Sequence, residues 1–172
     1  MSFEIEKEKD LADHGIAWWN TERPEINTSG KEITGRLMRL GEMAGNRMNT
    51  VSSKFGVKYP TYAILATLRA SGPPYAMTPK NLQATLLVSS GGLSNQLARI
   101  EKQGFIRRVE DPSDGRGVRV ELTEAGMALT EEAMPAQAAA EVDFIRMLSE
   151  EERKTLETLL RKVLVVNSIR AG

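Results

Sequence analysis

Asn95 and Arg99 are the residues best suited to chemistry with a partner, because they lie one helical turn apart between Ser90 and Gln103. At 3.6 residues per turn, one face of a helix over this stretch is apolar. That face carries Leu93, Leu97 and Ile100. Away from it lie polar groups that can bond to bases, since Asn pairs with adenine, Arg with guanine, and Ser with either bases or phosphate. The spacing predicts a helix that reads the major groove of DNA through Ser94, Asn95 and Arg99, with an ordinary surface helix as the alternative.

Two glycines, Gly91 and Gly92, lie at the start of this predicted helix. Glycine costs a helix ~1 kcal/mol per residue relative to alanine, so its use here suggests that the backbone approaches a partner closely. We therefore expect Ser90 and the amides around Gly91 to contact phosphate. Phosphate contacts of this kind fix the position of a protein on DNA, whereas base contacts determine its sequence preference.

A β-hairpin is predicted directly after this helix. Residues 105–110 and 118–122 have strand-like patterns, and the Asp111–Gly115 segment between them is dense in turn-forming residues. Arg116 lies at the hairpin tip. A cation in that place can enter an adjacent minor groove, where the negative potential is strong. The alternative is a solvated hairpin turn without a partner.

Helical patterns surround this region on both sides. They predict helices over residues 30–56, 60–72, 79–86, 124–148 with a bend at Pro135, and 150–164. Thr78 is predicted to cap the third of these helices, and Ser149 with Glu152 forms a capping box at the start of the last. The short helix that begins at Thr78-Pro79 and the helix from Ser90 lie on either side of a tight turn, which is the helix-turn-helix pattern. The fold class is therefore mainly α with a small β-wing.

The charge of the chain is unevenly distributed. The 172 residues contain 23 basic and 23 acidic side chains. Residues 31–120 carry 14 basic and 6 acidic residues, a net charge of +8, whereas residues 1–30 and 121–172 each carry −4. A basic middle between acidic ends is a footprint that a polyanion could recognise. Chance clustering on a solvated surface is the alternative.

Several functional classes are disfavoured by composition. The chain has no cysteine and one histidine, His14, which we expect at the surface or at an interface, so we expect no metal site and no cofactor. No acid-base dyad, nucleophile elbow or phosphate loop is present, so we expect no enzyme. The charged start and the lack of a long apolar run predict a soluble cytoplasmic protein without membrane association.

Two segments resemble the multiple antibiotic resistance regulator (MarR) family of winged-helix transcription factors. They are SSGGLSNQLARIEKQGFIRR, residues 89–108, and DPSDGRGVRVELTEAG, residues 111–126. The second resembles the family's aspartate-proline turn, its wing tip and its L-T-x-x-G sequence, and the resemblance extends over residues 10–168. Gly115 stands where the family usually has the first Arg of a wing pair, and Arg116 matches the second. The resemblance therefore implies that Arg116 contacts DNA, and that this wing binds DNA less strongly than a wing with two arginines.

The resemblance also implies an assembly and a domain organisation. It implies a homodimer that binds an inverted-repeat operator in double-stranded DNA as a transcriptional regulator, expected to be a repressor. Residues 1–30 would be an N-terminal extension, and residues 31–172 the MarR-like domain. Within that domain, residues 57–122 would form the DNA-binding lobe, and residues 31–56 and 123–172 the dimerisation helices. The alternatives are a monomer in which those helices pair, and a helical homodimeric protein-interaction or ligand-binding module without DNA binding.

The resemblance finally implies a small aromatic or phenolic effector that releases DNA. Trp18 and Trp19 lie in the N-terminal extension, as in a similar urate-responsive branch of the family, and Arg108 matches a cation of that branch. We expect an aromatic acid to bind near these three residues. Ala63 and Gln96 replace the Asp and the second Arg of that branch, which argues against urate itself. Packing of the dimer is the alternative role for the tryptophans, and a phosphate contact or salt bridge is the alternative for Arg108.

Overall fold

The computed structural model describes residues 8–86, 92–112 and 114–170. Its helices and strands follow one another along the chain in this order: α1 (Leu11–Glu22), α2 (Ser29–Ser53), α3 (Tyr59–Ala70), β1 (Ala76–Met77), α4 (Pro79–Thr85), α5 (Leu93–Lys102), β2 (Ile106–Asp111), β3 (Asp114–Leu122), α6 (Glu124–Phe144) and α7 (Glu150–Arg170). The chain divides into two compact units, one up to Arg47 and one from Met48. No helix within the described ranges is long and apolar enough to cross a membrane.

Polar contacts hold the first unit together. Arg36 of α2 reaches α1 with two hydrogen bonds, from Nε to Asp10 Oδ2 at 2.8 Å and from one terminal nitrogen to Asp13 Oδ1 at 2.7 Å. Asp10 also caps α1, because its carboxylate accepts the backbone N–H of Asp13. The backbone N–H of Asp10 and then the guanidinium of Arg36 lower the pKa of Asp13 below its usual value. Sequence periodicity missed α1, since no residue of this helix is buried.

The main core belongs to the second unit and lies where α3, α4, α5 and the sheet meet. Its buried members are Ile64, Leu65, Leu68, Leu82, Leu93, Leu97, Ile100, Ile106, Val120 and Leu122. The helical members recur at steps of three and four residues, and the strand members alternate along β3, so each element places one apolar face inward. This core fixes the orientation of α5 relative to the β2–β3 hairpin.

The sheet has three strands in the order β1-β3-β2, all antiparallel. Its outer strand β1 pairs Ala76 with Glu121 and Met77 with Val120 of β3. β1 has only two residues, which is too short to show an alternating pattern, and the sequence did not predict it. The β2–β3 hairpin was predicted, and its register pairs Ile106 with Leu122 and Arg108 with Val120.

α6 packs on the C-terminal end of α2 through a buried polar contact. The side-chain amide of Gln137 donates to the Met48 carbonyl oxygen at 3.2 Å and to Ser52 Oγ at 2.5 Å. Pro135 lies inside α6, and the helix continues through it to Phe144. The predicted helix over 124–148 therefore ends four residues earlier, and a turn follows before α7.

α7 begins at the predicted capping box, which the structure confirms. The N–H of Ser149 donates to the Glu152 carboxylate at 2.7 Å, and the N–H of Glu152 donates to Ser149 Oγ at 3.3 Å. No residue of α7 is buried over the range that the structure describes. Its apolar residues are largely exposed instead: Leu156, Leu159, Leu160, Val163, Leu164, Val165 and Val166. This helix therefore presents an uncovered apolar surface, which is typical of an interface.

Candidate nucleic-acid interface

α5 presents one buried and one exposed face. Leu93, Leu97 and Ile100 lie in the core, as the sequence predicted. The side chains of Ser94, Asn95 and Arg99 are all exposed on the remaining surface of the helix. The structure thus brings together three of the residues that were assigned to DNA. The residues of α5 that pack in the core are on the opposite side of the helix, so these polar groups are available to a molecule outside the lobe.

The start of α5 differs from the prediction. The helix begins at Leu93 and not at Ser90, because Gly92 takes a left-handed backbone conformation with φ of 101°. A residue with a side chain rarely adopts this φ, which explains a glycine at this position. Gly92 has no side chain to cap the helix. Ser90 and Gly91 lie outside the described residues, so their contacts with phosphate stay a prediction.

The hairpin after α5 is closely packed near its tip. The register shifts between Glu110 and Asp111, which marks a bulge, and Asp111 is buried. A Cβ added to Gly117 would lie 3.0 Å from the Cβ of Asp111, so the two strands approach too closely there for a larger residue to fit without movement. The backbone of Arg116 belongs to β3, and its side chain lies outside the described part.

Cations at the base of the wing are engaged within the lobe. Arg107 forms an ion pair with Glu121 at 2.6 Å, and the side chain of Arg119 donates to the Ala76 carbonyl oxygen at 2.5 Å. Arg108 is tied to Glu101 twice: its guanidinium lies 3.1 Å from the carboxylate, and its backbone N–H donates to the same side chain at 3.2 Å. Arg108 was predicted to bind an effector, and in this structure Glu101 supplies its negative partner.

Other cations of the second unit are left without a negative partner. Among the residues that the structure describes, five between positions 54 and 102 form no ion pair: Lys54, Lys58, Lys80, Arg99 and Lys102. Arg69, in contrast, lies 2.5 Å from the Glu131 carboxylate. Because no carboxylate neutralises these cations, their summed positive charge attracts anions to this part of the second unit.

Trp18 and Trp19 lie in α1 and therefore in the first unit. Trp18 is 73% exposed and Trp19 is 44% exposed. The ammonium group of Lys31 lies 5.3 Å from the centroid of the Trp19 ring, a cation–π distance. Arg108 belongs to the second unit, so the three residues assigned to an effector are divided between the two units.

A cavity of about 410 Å³ opens beside α3 and includes a residue of α6. Tyr59, Tyr62 and Met77 contribute to its lining, and Glu141 is the one charged side chain among the described residues that line it. Partial burial, and then the negative charge of Glu141, raise the pKa of both tyrosines above the ordinary value. Sequence patterns missed this cavity, because Glu141 is about eighty positions from the tyrosines.

Comparison with known proteins is consistent with this geometry. The sequence profile of the MarR family matches residues 55–117. The HTH-type transcriptional regulator PecS of Dickeya dadantii is 32% identical over 86% of this chain and 89% of its own length. The multiple antibiotic resistance protein MarR of Salmonella typhimurium is 32% identical over 76% of this chain and 90% of its own length.

Solved structures have the same fold. A mutant MarR from E. coli, complexed with operator DNA, has 27% identity and a TM-score of 0.69, with coverage of 91% of this chain and 99% of that chain. AbsC, a MarR family regulator from Streptomyces coelicolor, has a TM-score of 0.73 at 23% identity and covers 86% of this chain and 99% of its own, which shows the fold alone. The predicted winged-helix fold class is confirmed, and the relatives are regulators rather than enzymes. The chain belongs to the MarR family of DNA-binding transcriptional regulators.

Proposed function

We propose that this chain is a repressor that binds an inverted-repeat operator as a homodimer. The observation that carries this proposal is the exposed polar face of α5, held outward by the burial of its apolar face. Unpaired cations around that face favour a polyanion over the alternative of a protein-interaction module without DNA binding. In this proposal the bound dimer covers a promoter in the cytoplasm and blocks polymerase there, which makes it a repressor.

The proposed roles divide along the surface of the lobe. Ser94, Asn95 and Arg99 read base edges in the major groove. Ser90 and the amides around Gly91 contact phosphate, and Arg116 enters the minor groove. In the proposed assignment of segments, residues 57–122 form this DNA-binding lobe, and the helices on either side of it hold two lobes in one dimer.

Asn95→Ala and Arg99→Ala are each expected to weaken binding to the preferred site by ~1–3 kcal/mol and to relax base choice at one position. Each change removes a group that bonds to a base, and the exposed side chains contribute nothing to the core. Binding is measured by fluorescence anisotropy on a site selected from a random DNA pool. Thr158→Ala, on the side of α7 away from Leu160 and Val163, truncates another exposed polar side chain to alanine and should leave affinity unchanged. Wild-type affinity and base preference in both α5 variants would refute these roles.

The effector is proposed to be an aromatic or phenolic molecule, and the cavity beside α3 favours a phenol. Two tyrosine rings supply aromatic contact, and the Glu141 carboxylate accepts a hydrogen bond from a hydroxyl group but repels an acid. An aromatic acid near Trp18, Trp19 and Arg108 is the other proposed mode, although Arg108 already pairs with Glu101. Either ligand changes the equilibrium between the DNA-competent form and the released form only if it binds these two forms with unequal affinity.

We expect phenol to release DNA from the protein at a lower concentration than benzoate does. Glu141→Gln should bring the two concentrations closer together, because the substitution removes both a strong hydrogen-bond acceptor and a charge that repels benzoate. Release is followed by anisotropy of labelled operator. Trp18 and Trp19 are the tryptophans of the chain, so their emission reports a ligand near α1. The acid site would be favoured instead by two results together. Benzoate would release DNA and change tryptophan emission in the wild type, and it would no longer release DNA from a variant with both Trp18→Phe and Trp19→Phe.

A further inference from the structure

A cleft of about 370 Å³ lies between the α2–α3 junction and α5. Gly56 and Lys58 line it from the junction, and Thr61 lines it from the first turn of α3. On the other side are Arg99 of α5 and Gln103, which follows the end of α5. The junction can come close to α5 because α2 ends at Ser53 and the chain turns through Gly56, whose φ is 75°. Residues about forty positions apart therefore form one surface.

The lining of this cleft has the composition of an anion site. Among the described residues that line it are two cations, Lys58 and Arg99, and no carboxylate. Neither cation forms an ion pair with any residue in the described ranges. Thr61 and Gln103 add neutral hydrogen-bond donors. The cavity that contains Glu141 has the opposite character, with one acidic residue and no cation in its described lining. The two openings thus select ligands of different charge.

Arg99 connects this cleft to the face of α5 that is proposed to read DNA. It is exposed one turn after Asn95 and also lines the cleft. A helix in the major groove lies between two sugar-phosphate strands, because the groove is only about 12 Å wide. A cationic cleft at the side of such a helix therefore faces a strand and not the base edges.

We propose that the α2–α3 junction cleft binds a phosphate group of the DNA backbone through Lys58, beside the groove that receives α5. This inference rests on the proposed DNA-binding role of α5 and adds a contact outside the recognition helix and the wing. A Lys–phosphate contact fixes the position of the lobe and carries no sequence information. The contact also ties the α2–α3 junction to DNA, so it links the helix proposed for dimerisation to the operator through the turn that follows it.

Lys58 is well placed for an experiment because the fold does not depend on its side chain. It occupies the N-cap position of α3 with an extended backbone, and its side chain makes no capping hydrogen bond. The side chain is exposed, so its replacement leaves no cavity. Lys58→Gln removes the charge and keeps much of the length, whereas Lys58→Arg keeps the charge.

The test compares the salt dependence of binding for wild type, Lys58→Gln and Lys58→Arg on the selected operator and on a random duplex. Loss of one phosphate contact reduces the slope of log affinity against log salt by about 0.9 and the affinity by about eightfold at 0.1 M salt. We expect this loss on both DNAs for Lys58→Gln and near wild-type behaviour for Lys58→Arg. Lys162→Gln on α7 removes the same charge from another exposed residue without an ion pair in the described chain, and should keep the wild-type slope.

Ethylation interference locates the contact on the DNA. Wild type should be sensitive to ethylation of a phosphate beside each half-site, and Lys58→Gln should lose that sensitivity. Wild-type binding together with an unchanged slope for Lys58→Gln would overturn the inference and leave the roles of α5 intact. A loss of affinity by Lys58→Gln on the operator alone, without a change of salt slope, would also overturn the inference, because that pattern indicates contact with bases. Failure of the wild type to bind any DNA would instead reject the proposed function.

Discussion

Gly126→Ala is expected to destabilise the winged-helix lobe by about 3 kcal/mol or more, or to prevent its folding. A Cβ at this position would lie 2.9 Å from Leu122 Cδ1 and 3.0 Å from the carbonyl carbon of Phe105, and closer still to the Phe105 carbonyl oxygen. Two of these three atoms belong to the backbone, so rotation of a side chain cannot relieve the overlap.

Hydrogen bonds hold the start of α6 in place, so it cannot move away from this overlap without breaking them. Thr123 donates from its backbone N–H to the Phe105 carbonyl oxygen at 3.1 Å and from its hydroxyl to the Gly104 carbonyl oxygen at 2.7 Å. The same hydroxyl oxygen accepts the N–H of Gly126 at 3.1 Å. Any shift of Gly126 away from Phe105 therefore breaks the hydrogen bonds that join α6 to the α5–β2 turn.

The measurement is urea unfolding followed by circular dichroism. Gly41→Ala is the matched control, because Gly41 lies inside α2 with no atom within 4 Å of an added Cβ. That change should be neutral or stabilising by up to ~1 kcal/mol, since alanine is the better helix former. Equal stability of the two variants would show that α6 does not approach Phe105 as closely as in this structure.

Leu159→Glu is expected to convert the protein to a monomer and to lower operator affinity at least about 100-fold. Leu159 belongs to the uncovered apolar surface of α7 and is 56% exposed in a single chain. A second copy would cover that surface, whereas a buried carboxylate there without a partner is costly. A monomer binds one half-site, so it loses the gain that comes from linking two half-sites.

Sedimentation velocity at micromolar concentration measures the mass, and selection from a random DNA pool measures site symmetry. Wild type should select an inverted repeat with half-site centres about 10 bp or a little more apart, and Leu159→Glu should not. Thr158→Glu adds the same charge to the adjacent position, on the other side of α7. It should remain a dimer. A dimeric Leu159→Glu with wild-type affinity would place the interface elsewhere.

Sequence alone determined the features that depend on neighbouring residues. The buried face of α5 follows from the spacing of Leu93, Leu97 and Ile100, because helical periodicity is a property of residue order. Thr78 caps α4 and Ser149 caps α7 as predicted, since a cap acts over three residues. These local signals, together with the hairpin turn, suffice for the fold class.

Only the tertiary structure decided which distant residues meet. Glu101 engages Arg108, Glu141 enters the cavity with Tyr59, and Lys58 joins Arg99 in one cleft. Nothing in the sequence around any one of these residues indicates its partner. Pairing across the fold depends on how the core orients α3, α5 and α6, and that orientation results from the packing of many side chains at once. The sequence therefore determined which surfaces are polar, and packing determined which of the described cations have no carboxylate partner.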